Sequence, residues 1–557
     1  MTTYKKLLFT ITAITAVMSS SCKKDYFNRP PQSQITVDNF YQNAEQVRAS
    51  TLLLYSAPWF GYCGKGGWSI TELSGGNGRT YSSDIINFQD FTVTGNNFEI
   101  SAVWNSLYIE IAQANALINA LPTKVPASVD PAITNNAIGE ARLWRALAYF
   151  HLVRIFGPVP IIENSFDYIS DYQIPRNLVT DIYKFIVNDL KYAEANLTPV
   201  AVRGSASPAN GRLSSGSASA LLAKVYLYMQ DYPNARAEAE KVINSKEFKL
   251  YGIDVPGKTF ADLFLTLNNN NEESIIALQW AGNGGYGRGN PFQAAAALNS
   301  SITGTGDGYG QVGPTFDLQD KYEANDLRRK ATIMLPGDFY PEINQAKGGY
   351  TVPADGGAQG VHAGVKKYVV GTPADNGNVG GAQSSANNTY LMRYAEVYLI
   401  EAEAIMAGAK TSTDPTALAA INIIRRRAGL GNLTVIDRSG FVDNPNFVQG
   451  SNLKGQHWRQ NYRDDLLDER RREFAFENDY FFDLMRLDGF NKTEHPIALQ
   501  IIKQQDKGAS DNANPPARYG DGYLTNITSA SFLFPIPASE VAADPKLLGA
   551  PVPYVFK

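Results

Sequence analysis

The chain has 557 residues but only two cysteines, Cys22 and Cys63. That excludes a disulfide framework and any zinc site built on cysteines. Histidine is nearly as scarce. His151, His362, His457 and His495 form no H-x-x-x-H or H-E-x-x-H pair, so no metal site is legible. Basic charge is not in excess. The formal net charge is −4, and removing residues 1–21 takes away Lys5 and Lys6 and leaves −6. Nothing here makes a basic surface for nucleic acid. Beyond the first residues no segment runs for 18 apolar positions, so no membrane-spanning helix is expected. No G-x-S-x-G elbow, P-loop or EF-hand spacing occurs. Gly308-x-Gly310-x-x-Gly313 has the spacing of a dinucleotide fingerprint. It follows no predicted strand and opens no βαβ unit, so it is read as a false match. No cofactor is expected.

What the chain does have is aromatic side chains and helical periodicity. Aromatics make up 11% of residues, 30 of them tyrosine. Length alone suggests three or four domains. Residues 1–22 read as an export signal. Lys5 and Lys6 precede a short apolar run, Leu7–Met18, and Ser19–Ser21 lead into Cys22. Small residues before a cysteine fit a lipobox, in which Cys22 is diacylated and becomes the new N-terminus. Each buried methylene then contributes about 0.8 kcal/mol to anchoring. Residues 22–36, with Pro30–Pro31, read as a lipidated tether.

The stretch Gly139–Pro160 reads as the central helix. Ile138, Ala141, Trp144, Ala148, Leu152 and Ile155 share one face, and Leu143, Leu147 and Phe150 widen it. Asn135 and Asn136 are the expected N-caps, and Gly157–Pro158 the stop. Further helices are expected over 38–54, 101–121, 176–197, 390–408, 414–428 and 462–487. Residues 214–246 carry Leu222, Ala223, Tyr226, Tyr232 and Ala235 at the offsets of a tetratricopeptide (TPR) helix pair. Residues 55–100 are glycine-rich and read as loop. Residues 251–388 read as a loop-rich insertion with short strands such as Ser274–Trp280, the kind of long irregular stretch that is usually functional.

Several motifs resemble those of the SusD/RagB family, the outer-membrane nutrient-binding lipoproteins of Bacteroidetes. They are Trp104, Leu107–Tyr108 and Ala114–Asn115, the Gly211–Arg212 lead-in, and Arg393–Ala404. Asn422–Gly429, Glu469–Glu473 with Phe482–Arg486, and Leu533–Pro537 complete the set. Asp326-Leu327-Arg328 resembles a further element and reads equally as a surface ion pair. The resemblance implies a mainly α body over 37–557, with TPR-like helix pairs at about 101–246 and 390–487 forming a scaffold. It also implies a surface lipoprotein that passes oligosaccharide to a SusC-like TonB-dependent transporter, with no bond made or broken. A RagB-like oligopeptide binder, a TPR-type protein scaffold and a surface hydrolase are the alternatives.

Glu469 and Glu473 lie at i, i+4 beside Arg470–Arg472, which keeps both ionised and suits structural ion pairing rather than acid catalysis. A sugar ring offers a C–H face to an aromatic ring and hydroxyls to planar polar groups. Two stretches supply both. The expected ligand-binding set is Trp59, Trp68, Asn77, Arg79 and Tyr81 from the early segment, with Trp280, Tyr286 and Tyr309 from the insertion. Asp84, Asn283, Arg288 and Tyr340 lie in the same stretches.

Overall fold

The computed structural model describes residues 40–201, 203–204, 211–357, 359–449, 458–506 and 527–556. Cys22, the export signal and the tether lie outside these. The described chain is mainly helical. Helix α1 (Ala44–Ser50) is followed by α2 (Phe98–Lys124), α3 (Pro131–Phe156) and α4 (Val179–Asn196). Next come the pair α5 (Ser215–Tyr228) and α6 (Tyr232–Ser245). After the insertion come α7 (Tyr394–Met406), α8 (Pro415–Arg427), α9 (Asp465–Phe474) and α10 (Tyr480–Arg486).

The central helix α3 is buried on nearly every side from Ala137 to Phe156, because α2 and α4 pack against it along its length. It starts one turn earlier than expected. Asp130 is the cap, accepting from the Ala132 N–H, and Pro131 sits at the first helical position, where its missing N–H costs nothing. Gly157 ends the helix at φ +70°, a conformation a β-carbon would strain. Arg145 joins the three helices. Its Nε and Nη2 donate to Asp189 of α4, each at 2.7 Å, and its Nη1 donates to Asn115 of α2 at 2.7 Å. The Ala114–Asn115 motif is therefore a helix clamp.

The α5/α6 pair opens on a capping box between Ser214 and Ser217, worth about 1 kcal/mol for such a cap. Helix α7 does not begin at residue 390. Thr389–Arg393 forms a strand, β2, antiparallel to β1 (Ser274–Leu278), and α7 starts directly from it. The expected helix over 462–487 is broken into α9 and α10. Phe476 and Asn478 take positive φ between them, and Glu72 accepts hydrogen bonds from the N–H groups of Phe476 and Asn478. Residues 55–100, read as loop, contain two π-helical turns, Tyr62–Gly66 and Ser69–Leu73. Their glycines serve close packing rather than turning. A β-carbon on Gly61 would lie 2.8 Å from the Ala102 carbonyl oxygen of α2, and one on Gly66 2.7 Å from that of Glu99.

The family motifs converge on a buried network of charges. Arg393 donates to Glu273, Glu473 and Glu477. Arg427 reaches Glu273 and Glu473. Arg328 donates to Asp326 at 2.8 Å and to Glu469 at 2.7 Å. The Asp326–Arg328 pair is thus fully buried, not on the surface as the sequence allowed. Burial alone would raise Glu473, but the guanidinium groups of Arg427, Arg393 and Arg328 hold it far below the usual carboxylate range. Such a network fixes how β2, α8 and α9 meet, and removing one partner leaves a buried charge uncompensated.

Candidate functional site

A recess of about 280 Å³ opens where three segments meet. The first π-helical turn and the two residues before it supply Phe60, Gly61, Gly64 and Lys65. The first turns of α2 supply Phe98, Glu99 and Ala102, and the insertion supplies Tyr286, Tyr309, Gln311 and Gln383, among others. Three large rings at this recess face solvent: Phe98 is 79% exposed, Tyr286 71% and Tyr309 53%. Exposed rings clustered round a concavity are what a stacking ligand needs.

Backbone chemistry presents each ring. Asn97 caps α2 and leaves Phe98 at its first position, where no preceding turn covers it. Tyr309 stands between Gly308 and Gly310. Its N–H donates to the Ala294 carbonyl at 2.8 Å, and that of Gly310 to Ala297 at 2.9 Å, so the loop lies flat on residues 292–297. A β-carbon on Gly308 would come 2.5 Å from the Asn299 carbonyl oxygen, which is why glycine flanks this tyrosine. The G-x-G-x-x-G match is therefore a tyrosine-presenting loop. Its last glycine pairs antiparallel with Arg79.

Tyr286 rests on a stack of rings. It meets Phe60 edge-on at 4.9 Å, and Phe60 meets Trp280 at 6.4 Å. Lys65 is tied to Asp84 at 2.5 Å. Burial alone would raise Asp84, but the hydrogen bonds from Lys65 and Ser82 hold it below its ordinary value. Burial pushes Glu99 up.

Of the expected binding residues, Tyr286 and Tyr309 line this recess. Tyr81 is 42% exposed but is not part of its lining. Arg79 donates to the Tyr81 hydroxyl at 2.5 Å, and the Tyr81 N–H donates to Gln359. The other five are buried, each for an identifiable reason. Trp59 packs on Trp144 and His151 and donates to the Leu54 carbonyl at 3.0 Å. Trp68 donates to the Gly64 carbonyl at 3.1 Å and packs on Phe292. Asn77 bridges Glu72 and Arg471. Arg79 is covered by its strand and Tyr81. Trp280 donates to Thr389 at 2.9 Å and supports Phe60 from below. Tyr340, from the same stretch, is buried with its hydroxyl on the Lys330 carbonyl.

Sequence reasoning missed Phe98 and Gln383. The signal for Phe98 was present: an apolar residue directly after an asparagine N-cap falls outside the buried stripe of α2. His151 is the satisfied core residue expected, with Tyr62 Oη at 3.1 Å and Arg154 Nη2 at 3.2 Å. Among the described residues no cluster of three or more His, Cys, Asp or Glu could hold a metal ion, and no helix is long and apolar enough to cross a membrane.

A mainly helical scaffold carrying an aromatic-rimmed recess on an irregular insertion defines the class. Residues 272–552 match the model described as SusD family, and residues 28–227 match one described as "Starch-binding associating with outer membrane". A SusD-like protein of Bacteroides ovatus is 30% identical over 99% of both chains. This chain belongs to the SusD family. A crystal structure solved with a xylogluco-oligosaccharide is 29% identical, covering 92% of this chain and 99% of that one at a TM-score of 0.76. A laminarin-binding SusD-like protein is 24% identical over 90% and 98% of the chains, at a TM-score of 0.67, and speaks to the fold alone.

Proposed function

We propose that this protein captures oligosaccharide at the recess bounded by Phe98, Tyr286 and Tyr309 and hands it on without cleaving it. The observation that carries this reading is the three solvent-facing rings around one concavity, two of them on the insertion. A tyrosine ring supported edge-on from below is a rigid platform, and stacking on it takes little side-chain entropy. The xylogluco-oligosaccharide in a similar structure supports glycan as the ligand class. Among the described residues Glu99 is the one carboxylate in the recess wall, whereas glycoside hydrolysis uses two facing carboxyl groups.

The same reading places the protein at the outer membrane, as the description of its N-terminal family match supports. Diacylated Cys22 is the proposed anchor and a SusC-like TonB-dependent transporter the proposed recipient. Calorimetry of the full chain against xylogluco-oligosaccharides, laminarin, starch oligosaccharides and mixed peptides tests it. Binding to one glycan class, without product formation and lost in Tyr286→Ala, is the expected result. Binding to peptides alone would move the protein to the oligopeptide reading and contradict this one.

A further inference from the structure

The recess is unusually poor in polar groups for a site that would hold a bare sugar. Gly61, Gly64, Ala102, Ala294, Ala295 and the rings already described make up most of its lining, and Lys65, Glu99, Gln311 and Gln383 are its polar side chains apart from the tyrosine hydroxyls. Lys65 is committed to Asp84. Gln311 donates to Ser82 at 3.2 Å and keeps one buried acceptor, Oε1, without a partner. A pyranose carries several hydroxyls, and each one buried without a hydrogen bond costs about 1–3 kcal/mol. Most of the surface a ligand would meet here is carbon, so a fully inserted pyranose would leave several of its hydroxyls unpaired. A charged sugar fares worse, since a uronate would meet Glu99 while the one lysine of the lining is already paired with Asp84.

The volume points the same way. A cavity of about 150 Å³ lined by apolar side chains holds a benzene ring. About 280 Å³ therefore leaves room for one ring and its linker. Resting on glycan capture at this face, we propose that the recess takes an uncharged, carbon-rich substituent carried by the glycan, an ester- or ether-linked aryl or alkyl group, while the sugar chain lies across the exposed tyrosines.

Gly64 provides the lever. It lines the floor, and a β-carbon there meets nothing within 4 Å, so a larger side chain grows into open space without forcing the backbone. Leucine also favours helix over glycine by roughly 1 kcal/mol, so Gly64→Leu is not expected to unfold the protein.

The test measures binding of phenyl β-D-glucopyranoside and methyl β-D-glucopyranoside to the full chain and to Gly64→Leu, beside the glycan panel. The phenyl glycoside is expected to bind at least about ten-fold more tightly, an increment within reach of one buried ring. In Gly64→Leu the ratio is expected to fall to about one, with the melting temperature unchanged or raised. Equal binding of the two glycosides, or a ratio that survives Gly64→Leu, would overturn the proposal. Glycan binding that persists in that case leaves capture standing alone. Absence of binding to every glycan in the panel would overturn capture, and this proposal with it.

Discussion

The buried charge network and the aromatic recess differ in what holds them. In the network, Arg328, Arg393 and Arg427 and the carboxylates of Glu273, Glu469 and Glu473 are almost wholly removed from water, and each arginine meets two or more acids. No one of these groups can be replaced without stranding another. In the recess, Tyr286, Tyr309 and Phe98 stand in water on loops and a helix start, and their removal strands nothing. The family motifs fall on the first region and the candidate ligand residues on the second. The motifs therefore record how the scaffold is assembled, and leave the rim free to differ between proteins that share the fold.

Glu473→Gln is expected to have the largest effect. Removing this charge leaves Arg393 and Arg427 underpaired, and a loss of about 3–5 kcal/mol is expected in chemical denaturation. A loss below about 1 kcal/mol would mean that the network relaxes freely. Trp59→Ala comes next. It empties space between Trp144 and His151, and about 3–5 kcal/mol is expected, with any change in ligand affinity following from the fold rather than from lost contact. A stable Trp59→Ala protein with abolished binding would return Trp59 to the ligand set.

Acid sharpens the same contrast. Glu473, Glu469 and Glu403 have folded pKa values below their unfolded ones, each because facing arginines outweigh burial. Their stabilisation is fully present above the unfolded value near 4.3 and is lost as pH falls through the folded values, so unfolding free energy should drop steeply below about pH 4. Glu401 works in the opposite sense. Burial pushes it up to about 7, so its contribution is complete below the unfolded value and lost as pH rises through 7. Glu401→Gln should flatten that alkaline loss in melting curves from pH 5 to 8. The smallest effect separates two glycines of one segment. Gly61→Ala should destabilise by about 1–3 kcal/mol through overpacking against α2. Gly64→Ala should be neutral, or stabilising by up to about 1 kcal/mol. Equal effects would mean that the π-helical turn does not hold its observed distance from α2.

The scaffold was legible because periodicity and caps act locally. Ala141, Trp144, Ala148 and Leu152 announce α3 whatever surrounds it, and Leu222, Ala223 and Tyr226 announce α5. The break at Phe476 and Asn478 was not, because Glu72 creates it from some 400 residues away in sequence. The candidate site was half legible. Composition located the right stretches, yet Trp59 and Tyr286 look alike in sequence, each an aromatic among glycines. Which of them faces water is decided by what packs over it: α3 covers Trp59, and nothing covers Tyr286. Glycine density misled in the same way, since Gly61 and Gly66 are there to admit α2 and not to turn the chain.

In the proposed capture of glycan, the tyrosines of the rim, and not the tryptophans behind them, meet the ligand. Calorimetric titration of Tyr286→Ala and Tyr309→Ala with the glycan that the wild-type chain binds tests it most directly. Each ring is expected to contribute about 1–2 kcal/mol, so affinity should fall roughly ten-fold per substitution while the melting temperature stays within about 2 °C. Unchanged affinity in both variants would place the ligand elsewhere on the molecule.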